Sequence, residues 1–236
     1  MYYSSYNTLT SNTVSNNDDY GISLWSSSNN NTLTGNNASN NYGDGIYLSS
    51  SDDNTLTNNT ALDNSGTGIY LDSADNNNIA CNLVRTNTRH GFYLTDGTTG
   101  SNISYNNIIE NGNYNATSGG WEWQFYSAQH RPGEAEHNYW GAGMNSSTID
   151  ASIYDDMREW DWKQVEFYPF ETEPVQCHPT PKEPPAFTTA DTAIALQIAA
   201  GSRPPDMRWD ASGDGSVTSL DALMILQAAA GSIAIG

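Results

Sequence analysis

The chain has 236 residues and is strongly acidic, with 27 Asp and Glu against 8 Lys and Arg and a formal net charge of −19. Such a field repels nucleic acid and anionic membranes and favours cations, calcium in particular. No apolar run approaches transmembrane length, and Met1 to Thr10 enters directly into a repeat rather than a signal peptide.

The repeat dominates the first half of the chain, with a period of about 23 to 24 residues. An apolar anchor recurs at Leu9, Leu33, Leu56, Ile79 and Ile103, and a second apolar column at Val14, Ala38, Ala61, Val84 and Ile108. Glycine stands at Gly21, Gly45, Gly68 and Gly91, each followed by an apolar-x-apolar strand: Ile22/Leu24, Ile46/Leu48, Ile69/Leu71 and Phe92/Leu94. Two asparagine columns keep the same register, one through Asn12, Asn36, Asn59, Asn82 and Asn106, the other through Asn17, Asn41, Asn64, Asn87 and Asn111. Short strands of period 2 between Asn and Gly corners describe one turn of a coil. Asn and Gly tolerate the left-handed backbone that sharp corners need. Stacked coils lie about 4.8 Å apart, so asparagine amides bond up and down each column, and only the stack can bury the inward side chains. The expected architecture is a right-handed parallel β-helix of about five coils over residues 1–145. The repeat resembles those of NosD-like and pectin-lyase-like surface proteins, over roughly residues 1 to 140.

Along the chain, the spacing breaks after Ile108, and the inward strand is expected to return as Trp121-x-Trp123. Asn145 is the last asparagine, which marks a change of architecture. Asn138-Tyr-Trp-Gly141 with Ile149, Ile153-Tyr154-Asp155 and Val165 to Phe170 is similar to the terminal segment of archaeal β-helix surface proteins. It is read as a cap over 146–170, with a helix over Asp150 to Trp160 presenting Ile153, Met157 and Trp160. The uncapped start predicts upstream coils or a second copy against the first coil. Cys81 and Cys177 could pair but do not fix a redox compartment. Asn30, Asn37, Asn58, Asn102, Asn115 and Asn145 begin N-x-[ST] sequons that permit glycosylation outside the cell.

Five prolines between Glu171 and Pro185 describe a semi-rigid linker over 171–185. A duplicated helical module follows over 186–236, in which Phe187 to Gly201 aligns without gaps on Val217 to Gly231. Before its second helix, Asp210, Ser212, Asp214, the Ser216 carbonyl and Asp221 fall at positions 1, 3, 5, 7 and 12 of an EF-hand-type loop, with Gly215 at the turn and Thr218 placed to hold a water. These residues are expected to ligate one Ca²⁺. In the first half Thr180, Lys182 and Pro184 stand at the first three ligand positions and cannot form a carboxylate cage, which leaves Asp191 and Asp206 for any rearranged second site. Asp at position 12 without a full preceding helix resembles dockerin modules. That resemblance implies a cohesin-like partner met through Thr218, Ser219 and Gln227, or the matching Thr188, Thr189 and Gln197.

One outward column of the β-helix reads Ser23, Tyr47, Tyr70, Tyr93, beside a second of Trp25, Ser49, Asp72, Thr95. Tyr47, Tyr70 and Tyr93 with Asp72 and His90 form a candidate glycan face, although tyrosines that only shield the strands are the plainer reading. Arg85, Arg89, His90 and Asp72 could support proton abstraction, but no dense group of acids accompanies them, and no catalytic residue is assigned. The sequence therefore points to an extracellular, cell-surface scaffold of archaeal type: a glycan-contacting rod docked through a calcium-dependent module. A polysaccharide lyase or epimerase and a self-assembling filament or surface-layer subunit are the alternatives.

Overall fold

The structure is a computed structural model, described over residues 1–95, 97–129, 133–155, 165–176, 195–200, 217–219 and 222–225. The chain divides into two compact units, Met1–Cys177 and His178–Gly236.

The first unit is a parallel β-solenoid with three faces. The first face carries seven strands, from Thr8–Thr10 to Val165–Glu166. The second carries five, from Thr13–Ser15 to Asn107–Ile109, and the third six, from Ile22–Trp25 to Ile153–Asp155. The anchor columns pair in register, Leu9 on Leu33, Leu33 on Leu56 and Ile79 on Ile103. Inward residues Leu24, Leu33, Leu48, Leu56, Leu71 and Ile79 are fully buried in a single core.

Each corner has two parts. A left-handed residue makes the turn, and the ladder asparagine follows it. Ser11, Gly35, Asn58, Cys81, Tyr105 and His137 hold positive φ, immediately before Asn12, Asn36, Asn59, Asn82, Asn106 and Asn138. The ladder asparagines are thus not themselves left-handed, and the turning position accepts diverse side chains. The amide does the bonding instead: Asn59 Nδ2 donates to Asn82 Oδ1 at 3.0 Å and to the Leu33 carbonyl at 2.9 Å, while Asn59 Oδ1 accepts from the Asn36 backbone N–H at 3.0 Å. The ladder through Asn59 ends on Asn138, and the one through Asn64 ends on Gln124, whose longer carboxamide accepts from the Asn111 N–H. A third ladder, Asn7, Asn31, Asn54 and Asn77, finishes on Ser101. Between the second and third faces the glycine column lets coils close: a Cβ on Gly45 would lie 2.7 Å from the Gly68 carbonyl oxygen and 2.8 Å from Asn64 Nδ2.

The coil winds further than the repeat pattern predicts. The returning third-face strand is Phe125–Ser127, with Phe125 paired to Phe92. Trp121 belongs to an antiparallel excursion, Asn113–Asn115 with Gly120–Glu122, inserted just before it. The helix is Ser146–Asp150, capped by Asn145, whose side chain accepts from the Ser147 and Thr148 N–H groups. Ile153–Asp155 continues the third face as a strand, because Ile153 fits the inward column above Phe125. The residues expected to cap the coil therefore extend it by a turn. Trp140 and Phe167 are buried in its core and Phe170 packs against it. The expected linker also begins docked: Val175 N–H donates to Asn107 Oδ1 at 2.8 Å on the second face. Cys81 is half-buried, and Cys177 lies outside the described residues.

In the second unit, Ala195, Ala222 and Ile225 form a small buried cluster with Val217 and Met224 against it. Helical backbone runs through residues 195–199 and 222–225. Leu223 is 50% exposed.

Candidate functional site

The solenoid's register gathers aromatic residues on the third face. Tyr47, Tyr70, Tyr93, Tyr126 and Tyr154 occupy the middle position of successive strands, and Tyr20 joins from the preceding corner. Ring centroids along this stack are 4.7, 4.9, 4.6, 5.0 and 4.2 Å apart. Each ring is packed face or edge against the next, so the column turns edges and hydroxyls outward rather than open faces. Tyr47 is 6% exposed, flanked by Tyr20 and Trp25, and its hydroxyl donates to Asp72 Oδ2 at 3.0 Å. Asp72 also accepts from Thr95 Oγ1 at 3.0 Å. Burial first, and then the Asp72 carboxylate, pushes the Tyr47 hydroxyl up to about 12 and raises Tyr70 further still.

Beside the stack lies a cleft of about 610 Å³. Tyr20, Tyr42, Tyr70 and Tyr93 line it, with Asp19, Asp44, Arg89 and His90 among its polar groups. Tyr42 is 77% exposed and has no ring partner among the described residues, so it offers the open aromatic face that the column lacks. One corner column, Tyr20, Asp44, Thr67 and His90, supplies four of the lining residues. Asp44 Oδ1 accepts from the Thr67 N–H at 2.6 Å, and Thr67 Oγ1 lies 3.4 Å from His90 Nδ1. Burial raises Asp44, against the pull of the Thr67 N–H and of Arg89. The His90 ring leans on Tyr93 and Tyr126 at 5.3 and 4.9 Å. Its burial, aided by the Arg89 charge, lowers it to about 4, so it is neutral at pH 7.

This has a measurable consequence. Between its ordinary value of 6.5 and about 4, the unfolded chain protonates His90 and the folded chain does not. His90 therefore contributes fully above pH 6.5, and stability falls as pH drops through that window. Asp44, raised by folding, acts in the opposite direction at its acid end. Thermal midpoints stepped across the window should fall less steeply for His90→Gln than for the unaltered chain. Equal slopes would mean that the imidazole is solvated.

Of the residues singled out in the sequence, Tyr70, Tyr93 and His90 line the cleft, whereas Tyr47 and Asp72 are tied to each other beside it. Tyr42, Asp44 and Tyr20 were not foreseen; a lone aromatic in the otherwise polar corner column Asp18, Tyr42, Ser65, Thr88 was the available signal for the first. Gln197 and Ser219 are exposed and Thr218 is half-buried. Asp210, Ser212, Asp214, Ser216, Asp221, Thr188, Thr189 and Gln227 lie outside the described residues.

The family model described as periplasmic copper-binding protein (NosD) matches residues 1–144. No curated protein and no solved structure matches the chain. Copper favours imidazole, thiolate and thioether ligands. Among the described residues no three His, Cys, Asp or Glu side chains converge on a point that could hold a metal. His90 faces the tyrosine stack, and His137 stands at another corner, paired with Glu171 at 3.1 Å, so the described donor set does not fit that ion. Among the described residues, too, no helix is long and apolar enough to cross a membrane. The match covers every coil from the first strand to Met144 and well over half of the chain, so this protein belongs to the NosD family.

Proposed function

We propose that the chain is a glycan-contacting rod of a protein that works outside the cytoplasm, with the third-face cleft as its binding site. The observation that carries this reading is the pairing of an open aromatic face, Tyr42, with hydroxyl-binding groups, Asp44, Asp19 and the tyrosine edges, in a cleft of ligand size. The family's periplasmic description agrees with that location. The tail is the anchor in this reading. Asp210, Ser212, Asp214, Ser216 and Asp221 hold one Ca²⁺ and order a dockerin-like module for a cohesin-bearing partner. The spacing of those oxygens supports it, as does the small helical core of Ala195, Ala222 and Ile225.

One observation favours a second reading. Neutral His90 stands beside Arg89 in the same cleft, the pairing that proton abstraction from an acidic sugar requires. A single series of measurements separates the readings. Calorimetry of the full chain with neutral and acidic oligosaccharides should show binding without unsaturated product. Unsaturated ends would establish the lyase reading, and no binding to any glycan would overturn the first. Chelating calcium should abolish helical signal from the tail and leave glycan binding intact. A tail whose helicity ignores the chelator would remove the calcium assignment.

A further inference from the structure

The first face of the solenoid differs in chemistry from the rest of the chain. Its first five strands are Thr8–Thr10, Thr32–Thr34, Thr55–Thr57, Asn78–Ala80 and Asn102–Ser104. Each points its middle residue inward and its two flanking residues to the other side, by the alternation of a strand. The flanking residues are six threonines on the first three strands, then Asn78, Ala80, Asn102 and Ser104. None of them is ionisable, in a chain of net charge −19. Charge enters this face only with the next two strands, where Glu134 pairs with Asn102 and Glu166 with Glu134.

Strand pairing sets the threonines in two files. Thr8 pairs with Thr32 and Thr32 with Thr55, while Thr10 pairs with Thr34 and Thr34 with Thr57. Thr8 and Thr10 are exposed, and the other four are half-buried. Neighbouring strands lie about 4.8 Å apart, and alternate residues of one strand about 6.6 Å, so hydroxyls and methyls repeat in two dimensions. Threonine is stiff at χ1, which orders this lattice before anything meets it. Thr34 Oγ1 and Thr57 Oγ1, 3.1 Å apart, bond to each other along one file. Each of these hydroxyls still has acceptor capacity to offer outward.

We infer that this threonine lattice binds the surface of ice. The occupant follows from what the face lacks and from how it repeats. Without charge it offers nothing to a mineral ion, a phosphate backbone or a lipid headgroup, and without an aromatic side chain it gives a sugar ring no platform. Five strands and two files span about 19 Å by 7 Å. That is far below the roughly 800 Å² per partner that a stable protein interface buries. Water oxygens joined tetrahedrally at about 2.75 Å repeat about every 4.5 Å along one axis of hexagonal ice and about every 7.3 Å along another. The rungs and files come within about 0.7 Å of both repeats. Waters held against the methyls and bonded to the hydroxyls therefore continue into the crystal over several repeats at once. Liquid water, which has no fixed spacing, gains nothing from the register. The inference is independent of the third-face cleft and of the glycan reading.

The test grows single ice crystals in a solution of the full chain on a cooled microscope stage and compares freezing and melting points. The unaltered chain should facet the crystal and hold its growth across a non-colligative gap below the melting point. It should also stop recrystallisation of a polycrystalline ice wafer at a concentration at which serum albumin does not. Thr34→Lys and Thr55→Lys each set a charged side chain in the lattice, on different strands and in different files, and each should abolish the gap. Thr60→Lys, in the second-face strand Thr60–Leu62, should keep it. All three positions are half-buried on the outer surface, so each variant should keep the thermal midpoint of the unaltered chain, which separates lost binding from lost fold. Round crystals and free recrystallisation with the unaltered chain overturn the inference. So does a gap that persists in a folded Thr34→Lys or Thr55→Lys chain, or one that a folded Thr60→Lys chain loses as completely.

Discussion

Replacing Asn59 by leucine should lower the stability of the solenoid by about 2–6 kcal/mol, the cost of stranding two or more buried polar groups at about 1–3 kcal/mol each. The Asn59 side chain makes four hydrogen bonds. Its Nδ2 donates to the Leu33 carbonyl and to Asn82 Oδ1, and its Oδ1 accepts from both the backbone N–H and the Nδ2 of Asn36. Leucine has similar bulk but neither donor nor acceptor, so the Leu33 carbonyl and the Asn36 N–H lose partners in a site 1% exposed. Asn12 provides the internal comparison. It is exposed at the first rung and donates only to Asn36, so Asn12→Leu should cost well under half as much. Denaturant unfolding followed by circular dichroism reads both. Equal costs at the two positions would mean that the ladder contributes nothing beyond a surface hydrogen bond.

Phe92→Ala should cost about 3–5 kcal/mol, in the range for truncating a fully buried aromatic. Phe92 is 0% exposed and stacks on Phe125 at 5.7 Å, with Ile69 in register on its other side. The cavity would open where the core changes from aliphatic to aromatic rungs. A solenoid coil is held by its two neighbours, so the loss spreads to both. Hydrogen exchange should therefore rise first in the strands Ile69–Asp72 and Phe125–Ser127, while Thr8–Thr10 and Thr32–Thr34 keep their protection. Uniform loss along the whole solenoid would show instead that the coils unfold as one unit. Phe92→Leu should recover most of the stability.

The repeat was legible because one inward residue per strand and one amide per corner are obligatory, and both recur at fixed spacing. The pairs Leu9 with Leu33 and Val84 with Ile108 follow directly from their columns. The third ladder was hidden because Asn31 and Asn77 sit within runs of asparagine, and the column ends in Ser101 rather than another amide. After Ile108 an antiparallel excursion displaced the returning strand, so Trp121 and Trp123 were read in the place of Phe125. Ile153, Met157 and Trp160 satisfy a helical spacing, yet Ile153 is held by pairing with Phe125, a contact no local pattern contains. At the site, Tyr70, Tyr93 and His90 could be read from their columns. Tyr42 and Asp44 could not, since they come to line one cleft only when successive coils stack at this corner.

The excursion between Asn111 and Gln124 shows what the corner demands. Thirteen residues separate these two rungs of one ladder, yet the Asn111 N–H still finds a carboxamide oxygen in Gln124, and Gln124 Nε2 donates on to the Trp140 carbonyl at 2.9 Å. The coil thus measures returns and not lengths: any segment can leave at this edge provided that an amide comes back to the same column. That makes the border of the second and third faces a grafting point. A foreign loop placed there would alter the surface of the solenoid without disturbing the strands that support it.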